Sequence, residues 1–156
     1  MSKEIYHGET DGNSSPFRGC TGLKNLKIGN GIKKIENYVF KGCTSLENVT
    51  IGDGVESINS SAFEGCDSLK NISLGNGIKE IMYSAFNNCS GLQEIIIPRS
   101  IETISYEPFK NCTKLTAITY KGSINEWKSL SKTSWKEGSS IATVVCSDGE
   151  ISSNEE

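Results

Sequence analysis

The sequence predicts a β-rich repeat solenoid of five turns of 23 residues each, with parallel strands, short helical turns and a small helix-plus-strand cap at the C-terminus. All five phenylalanines are spaced 23 residues apart, at Phe17, Phe40, Phe63, Phe86 and Phe109. A cysteine lies three residues after each phenylalanine, and only Cys146 of the six cysteines falls outside this series. Self-similarity with a period of about 20 to 50 residues is the signature of stacked repeats.

Alternating apolar residues place two extended segments in each repeat. Leu26 and Ile28 flank Lys27, and the same spacing recurs in the following repeats. An alternation with period two is typical of a short strand that has one buried face. The pair Ile32 and Ile35 and its copies then predict a second extended segment that faces the same core.

Glycine and asparagine mark the connections between these segments. A Gly-Asn-Gly or Gly-Asp-Gly tripeptide follows the first strand at residues 29–31, 52–54 and 75–77, and such tripeptides favour turns with positive φ. Ser61 and Glu64 have the spacing of a capping box, which predicts a short helical turn around Phe63. A left-handed cap is expected two residues after each phenylalanine, at Gly19, Gly42, Gly65, Asn88 and Asn111.

The periodicity divides the chain into four parts. We expect a degenerate or frayed N-terminal edge at residues 1–16, the solenoid at 17–123, a C-terminal cap at 124–150 and a disordered tail at 151–156. Ile124, Trp127 and Leu130 suit a short amphipathic helix, and the segment that ends at Cys146 suits a final strand. Trp127, together with Trp135, is expected to cover the last phenylalanine.

Composition argues against nucleic-acid binding and membrane insertion. The formal net charge is −3, so the chain lacks the basic footprint that nucleic-acid binding requires. No apolar run approaches the roughly 18 residues that would suggest a membrane span. The first residues contain no apolar signal segment, so we expect no export signal in the chain as written.

The cysteines indicate packing rather than chemistry. Five of them share one repeat position, so we expect buried free thiols, although neighbouring repeats about 4.8 Å apart leave a disulfide open. Thiols in one stacked column lack the tetrahedral geometry of a zinc site, and the sequence predicts no metal and no cofactor. His7 is the only histidine, so a Cys–His nucleophile is not expected and the chain is predicted not to be an enzyme.

The repeat resembles a known family. The unit FKGCTSLENVTIGDGVESINSSAF, which starts at Phe40, resembles the BspA-like leucine-rich repeats with their pattern Ala-Phe-x-x-Cys-x-x-Leu-x-x-Ile-x-Ile-Pro. The resemblance runs from about Pro16 to Gly149, and the proline of the pattern is present only as Pro98. It implies a curved solenoid of the leucine-rich-repeat type, whose Ile-x-Ile strands line a concave sheet. It also implies a surface or secreted protein used in adhesion and protein binding, without catalytic residues.

The concave face is the predicted binding site. Its outward residues are expected to be Asn25, Lys27, Asn48, Thr50, Asn71, Ser73, Glu94, Ile96, Ala117 and Thr119. Ile96 is either a contact point for a partner or a single tolerated surface isoleucine. Met82, Tyr83 and Tyr106 form an alternative patch, because methionine and aromatic residues are enriched at interfaces, and packing against the cap or a neighbouring turn is the other interpretation.

Three functional hypotheses follow from these observations. The first is a protein-binding or adhesion module whose partner is a surface protein of a host or neighbouring cell. The second is a structural spacer, or a fragment of a larger surface repeat protein. The third is self-association through an open N-terminal edge, because unpaired strands can pair with another chain.

Overall fold

The computed structural model describes residues 15–154, which form two sheets joined into one solenoid. Its elements are β1 (Asn25–Ile28), β2 (Lys34–Ile35), β3 (Asn48–Ile51), β4 (Ser57–Ile58), β5 (Asn71–Ser73), β6 (Glu80–Ile81), β7 (Glu94–Ile97), β8 (Thr103–Ile104), β9 (Ala117–Tyr120), α1 (Ile124–Ser129), β10 (Ser131–Lys132), β11 (Thr143–Cys146) and β12 (Gly149–Ser152). One sheet has the order β1-β3-β5-β7-β9-β11-β12 and the other has the order β10-β8-β6-β4-β2.

Neighbouring repeats pair in parallel, in the register that the 23-residue period predicts. Asn25 pairs with Asn48, and Lys34 pairs with Ser57 in the second sheet. The predicted β-solenoid with parallel strands is therefore confirmed.

A column of phenylalanines forms the centre of the core. The ring centroids of successive phenylalanines are 5.6, 5.2, 5.5 and 5.8 Å apart, from Phe17 to Phe109. Phe40, Phe63 and Phe86 are fully buried, as is Phe109. Each ring therefore packs on its copy in the next repeat, and the strict spacing of phenylalanine follows from this stacking.

The cysteine thiols are buried donors as well as packing groups. The Cys43 thiol donates to the carbonyl oxygen of Phe17 at 3.1 Å, and Cys66 donates to Phe40 at 3.3 Å. Cys89 and Cys112 repeat this contact. Burial raises the pKa of Cys43 and of Cys112 to about 12. Cys43, Cys66, Cys89 and Cys112 are fully buried and unpaired, as expected for the repeat series, whereas Cys20 is half-buried. The hydrogen bond made by each buried thiol was not predicted.

The tripeptides need glycine for a different reason from the predicted positive φ. Neither Gly54 nor Gly77 has φ in the left-handed region. A Cβ on Gly54 would instead lie 2.2 Å from the carbonyl oxygen of Asn30, and one on Gly77 would lie 2.0 Å from that of Asp53. These glycines are required because the backbone of the preceding repeat passes too close for a side chain.

The segment around each phenylalanine is a series of hydrogen-bonded turns rather than a helix. The amide of Cys43 donates to the Phe40 carbonyl at 3.1 Å, and that of Leu46 donates to the Cys43 carbonyl at 3.0 Å. The capping box expected at Ser61 is wrong, because Ser61 has a φ of 55° whereas an N-cap residue has extended backbone.

Two columns of left-handed residues shape this segment. The predicted column of Gly19, Gly42, Gly65, Asn88 and Asn111 has φ between 58° and 74°, which confirms the prediction. A second column was not predicted and comprises Tyr38, Ser61, Ser84 and Glu107, with φ between 50° and 61°. Tyrosine and serine are not residues that usually mark this conformation, so no sequence signal identified it.

The cap begins with the predicted helix α1 and then leaves the 23-residue period. Ser123 is the N-cap of α1, and it forms a capping box with Glu126. Lys132 pairs with Ile104 in the second sheet, so this repeat is longer than the others and Trp127 does not take the aliphatic strand position. Trp127 is instead fully buried, with its ring 5.3 Å from those of Tyr120 and Trp135.

The C-terminal boundary extends further than the sequence predicted. β12 pairs antiparallel with β11, Ile151 is buried, and the Ser153 hydroxyl donates to the carbonyl oxygen of Ile141 at 2.9 Å. The predicted disordered tail is therefore wrong for residues 151–153, which belong to the cap. Of the predicted frayed edge at 1–16, residues 1–14 lie outside the described residues.

Candidate binding face

The strand face is the outer surface of the seven-stranded sheet. Side chains alternate along each strand, so that Val49 and Ile51 are buried while Asn48 and Thr50 are exposed. The strand register stacks the outer residues into two columns. All ten predicted residues lie on this face, exposed except for the half-buried last pair: Asn25, Asn48, Asn71, Glu94 and Ala117 in one column, and Lys27, Thr50, Ser73, Ile96 and Thr119 in the other.

An asparagine ladder occupies the N-terminal half of the strand face. The Asn48 side-chain amide donates to Asn25 Oδ1 at 2.8 Å, and the Asn71 amide donates to Asn48 Oδ1 at 3.0 Å. An amide group has two N–H donors, so each of these donating groups keeps one N–H for a ligand. The sequence placed these residues in one column, but it did not show that they bond to one another and hold a fixed orientation.

A small apolar group lies in the C-terminal half of the strand face, which also carries the exposed Glu94 and Glu150. Ile96 is 38 % exposed and pairs with Thr119 in the neighbouring strand. Val145 lies beside Thr119 on the other side, and Thr143 lies beside Ala117. The 23-residue period does not predict Val145 and Thr143 at these positions, because the last repeat is longer than the others. Ile96 is therefore part of a small group of apolar and threonine side chains rather than an isolated surface residue.

The strand face carries little charge and no catalytic grouping. Lys27 and Glu94 are the only charged residues of the ten. In the part of the chain that the structure describes, no group of three or more His, Cys, Asp or Glu residues could hold a metal ion. The buried thiols of Cys43 and Cys112 are protonated at neutral pH because of their raised pKa values. His7, the only histidine, lies outside the described residues.

The alternative patch lies beside the other sheet. Tyr83 follows β6 and Tyr106 follows β8, and their ring centroids are 6.1 Å apart with an interplanar angle of 27°. The two rings stay 48 % and 40 % exposed, whereas Met82 is half-buried. The two tyrosines thus pack against each other across neighbouring repeats, as one of the two interpretations expected, but they remain accessible.

No helix within residues 15–154 is long and apolar enough to cross a membrane.

Solved structures of bacterial leucine-rich repeat proteins share this fold. The T. pallidum leucine-rich repeat protein TpLRR superposes with a TM-score of 0.68 at 26 % identity, over 78 % of this chain and 58 % of that one. A leucine-rich repeat protein from Bacteroides ovatus gives a TM-score of 0.59 at 29 % identity, over 67 % of this chain and 33 % of that one. The chain therefore spans less than two thirds of the length of either protein.

A third structure shows the fold alone, and sequence comparison shows the family. The leucine-rich cell surface protein from Faecalibacterium prausnitzii is 22 % identical, with a TM-score of 0.54 over 81 % of this chain and 39 % of that one. No curated protein matches the chain. The model of the BspA type leucine-rich repeat region matches residues 11–134 in six copies. The chain belongs to the BspA-type leucine-rich repeat family.

Proposed function

We propose that this chain is a non-enzymatic binding module of the adhesion type, which holds a partner protein on its strand face. The observation that carries the proposal is the change along that face. The interior repeats the same residues from one repeat to the next, whereas the strand face passes from an asparagine ladder to the apolar group around Ile96. Stacking alone does not require this change.

The geometry of the strand face supports a protein partner. Protein interfaces combine an apolar centre with a polar, hydrogen-bonding surround. Ile96, Thr119 and Val145 supply an apolar centre, and the side-chain amides of the asparagine ladder supply oriented donors beside it. The parallel strands hold both parts in fixed register, so little conformational entropy is lost on binding. Repeats of this family generally form structural or binding modules.

The test is a pull-down from surface extracts of host or neighbouring cells with two matched variants. Thr50→Glu/Ile96→Glu adds two negative charges to the strand face. Thr44→Glu/Thr113→Glu adds the same charge at exposed positions outside it. We expect wild type and the second variant to retain the same partner, and the first variant to lose it while its circular dichroism is unchanged. A partner that binds all three proteins equally would contradict the proposal.

A structural spacer in a longer repeat protein is the second candidate. It is favoured by the lengths of the structural relatives, of which this chain spans 58 % and 33 %. A spacer holds no partner on its strand face, so the pull-down would recover the same background proteins with wild type and with Thr50→Glu/Ile96→Glu.

Self-association through the N-terminal edge remains a prediction. Within residues 15–154, β1 pairs only with β3, and its other edge has no described neighbour. An exposed strand edge can pair with a second chain. Light scattering at increasing protein concentration tests this, and a monomer mass at every concentration would contradict it.

A further inference from the structure

A second exposed surface lies outside the strand face. Besides Ile96, the large exposed hydrophobic residues within residues 15–154 are Tyr83 and Tyr106. They occupy equivalent positions in successive repeats, because the Ser61 amide donates to the Tyr83 carbonyl and the Ser84 amide donates to the Tyr106 carbonyl. Together with Glu137 we call these two residues the tyrosine patch.

The two tyrosine rings stack on each other, and the repeats on either side of them carry no third aromatic ring at the same position. The corresponding carbonyl in the preceding repeat belongs to Ser60, which accepts from the Tyr38 amide. In the following repeat it belongs to Ser134, which accepts from the Glu107 amide. A serine side chain is too short to stack on an aromatic ring, so the column offers aromatic surface at only two levels.

The charge beside this aromatic surface is negative. The amides of Glu137 and of Glu107, the neighbour of Tyr106, both donate to the carbonyl oxygen of Ser134 at 3.2 Å, which places Glu137 next to Tyr106. The charge of Glu137, followed by that of Glu107, raises the pKa of the Tyr106 phenol. Lys110 lies 3.0 Å from both carboxylate oxygens of Glu107 and offsets its charge. The ion pairs within the described residues use other carboxylates and leave Glu137 without a basic partner. The Lys110 ammonium also acts on the Tyr83 and Tyr106 phenols, but its ion pair is with Glu107. The tyrosine patch therefore combines exposed rings with one carboxylate, Glu137, that forms no ion pair within the described residues.

This combination suits a cationic side chain. The protein already places cations near its own rings, with Lys41 Nζ 5.6 Å from the centroid of Tyr38 and Lys132 Nζ 5.2 Å from that of Trp127. A cation near an aromatic ring is attracted by the negative face of the π-system. Arginine fits such a site better than lysine, because its planar guanidinium stacks on the ring, is weakly hydrated and can pair with a carboxylate at the same time.

We propose that the tyrosine patch binds an arginine side chain of a basic segment in a partner protein, with the guanidinium stacked on a tyrosine ring and paired with Glu137. The patch follows strands of the five-stranded sheet, so this contact is separate from the strand face. It would add a charge-selective contact to a module whose strand face carries little charge.

The experiment uses two synthetic peptides and the whole chain. One peptide is acetyl-Gly-Arg-Gly-Arg-Gly-amide, and in the other citrulline, a neutral isostere, replaces both arginines. Nuclear magnetic resonance follows the ring signals of Tyr83 and Tyr106 during titration. We expect the arginine peptide to shift both signals, and the citrulline peptide, the Tyr106→Ala variant and the Glu137→Gln variant each to weaken binding about two- to fivefold. Higher salt weakens the arginine complex as well.

The control variant is Ile96→Ala, which changes the strand face and leaves the charge unaltered. Its affinity for the arginine peptide should equal that of wild type, so a failure of the strand-face proposal does not affect this result. The inference is overturned if the two peptides bind equally, if neither tyrosine signal moves, or if either Tyr106→Ala or Glu137→Gln binds like wild type.

Discussion

The interior and the strand face of this solenoid follow the same 23-residue period but differ in how strictly they obey it. Inside, phenylalanine and cysteine recur unchanged at each step, with ring spacings between 5.2 and 5.8 Å. On the strand face, by contrast, one of the two columns changes its residue at every repeat, from Lys27 to Thr50, Ser73, Ile96 and Thr119. An interior residue must fit its own copy above and below, whereas a strand-face residue is free to vary. The comparison teaches that information about a partner lies where the period is not enforced.

The largest expected effect comes from a break in the phenylalanine column. Phe63 is fully buried between the rings of Phe40 and Phe86, so Phe63→Ala leaves a cavity and removes two stacking contacts. We expect a loss of about 3–5 kcal/mol in the free energy of unfolding, measured in urea. Thr50→Ala on the strand face should change it by less than about 0.5 kcal/mol. Equal losses would contradict the difference between interior and face.

A smaller effect is expected where two backbones meet at a glycine. Gly77 faces the Asp53 carbonyl, so the methyl group of Gly77→Ala forces the neighbouring repeats apart and should cost about 1–3 kcal/mol. Gly31 has the same place in the first repeat but nothing within 4 Å of its Cβ position. Gly31→Ala is the matched control and should unfold within about 0.5 kcal/mol of wild type. Thermal unfolding of the two variants side by side measures the difference, and a shared loss would show that the tripeptide needs glycine for its own conformation.

The phenylalanine column and the Gly77 contact differ in whether the sequence alone predicts them. The phenylalanine spacing predicted the solenoid, its register and the buried column, because a period enforced by stacking is visible in the residues themselves. The close approach at Gly77 was not predictable, because glycine is equally typical of a turn with positive φ and of a tight contact between backbones. The left-handed conformation of Ser61 was not predicted either, because serine three residues before a glutamate is more typical of a helix N-cap.

The candidate site was predictable only in its positions. Alternation along each strand put all ten residues of the strand face on the solvent side. It could not reveal the hydrogen bonds of the asparagine ladder, which depend on side-chain rotamers. Nor could it place Val145 beside Thr119, because α1 lengthens the last repeat and removes the spacing from which neighbours were inferred.

The smallest expected effect concerns the exposed ion pairs that Glu56 forms with lysines of the two neighbouring repeats. Lys33 and Lys79 lie 2.7 and 3.0 Å from the two carboxylate oxygens of Glu56, and their hydrogen bonds lower the pKa of Glu56 to about 2. A carboxyl whose pKa is lower in the folded state contributes fully to stability above about pH 4.5 and loses that contribution as the pH falls toward 2. Wild type should therefore lose more unfolding free energy than Glu56→Gln between pH 5 and pH 2.

Salt provides the control for this effect. The pair is exposed, so added salt should screen it and bring the two pH profiles together. Identical profiles at low salt would show that the lysines only lie near Glu56 without stabilising its charge.

The most direct test of the difference between interior and strand face uses two adjacent residues of β7. Ile95 is 1 % exposed and Ile96 is 38 % exposed, so the same substitution in one strand removes the same side chain from opposite faces. Urea unfolding of Ile95→Ala should show a loss of about 2–5 kcal/mol, whereas Ile96→Ala should lose less than about 1 kcal/mol. If Ile96→Ala is as destabilising as Ile95→Ala, the isoleucine of the strand face belongs to the core, and the separation between a variable outer face and a stabilising interior is contradicted.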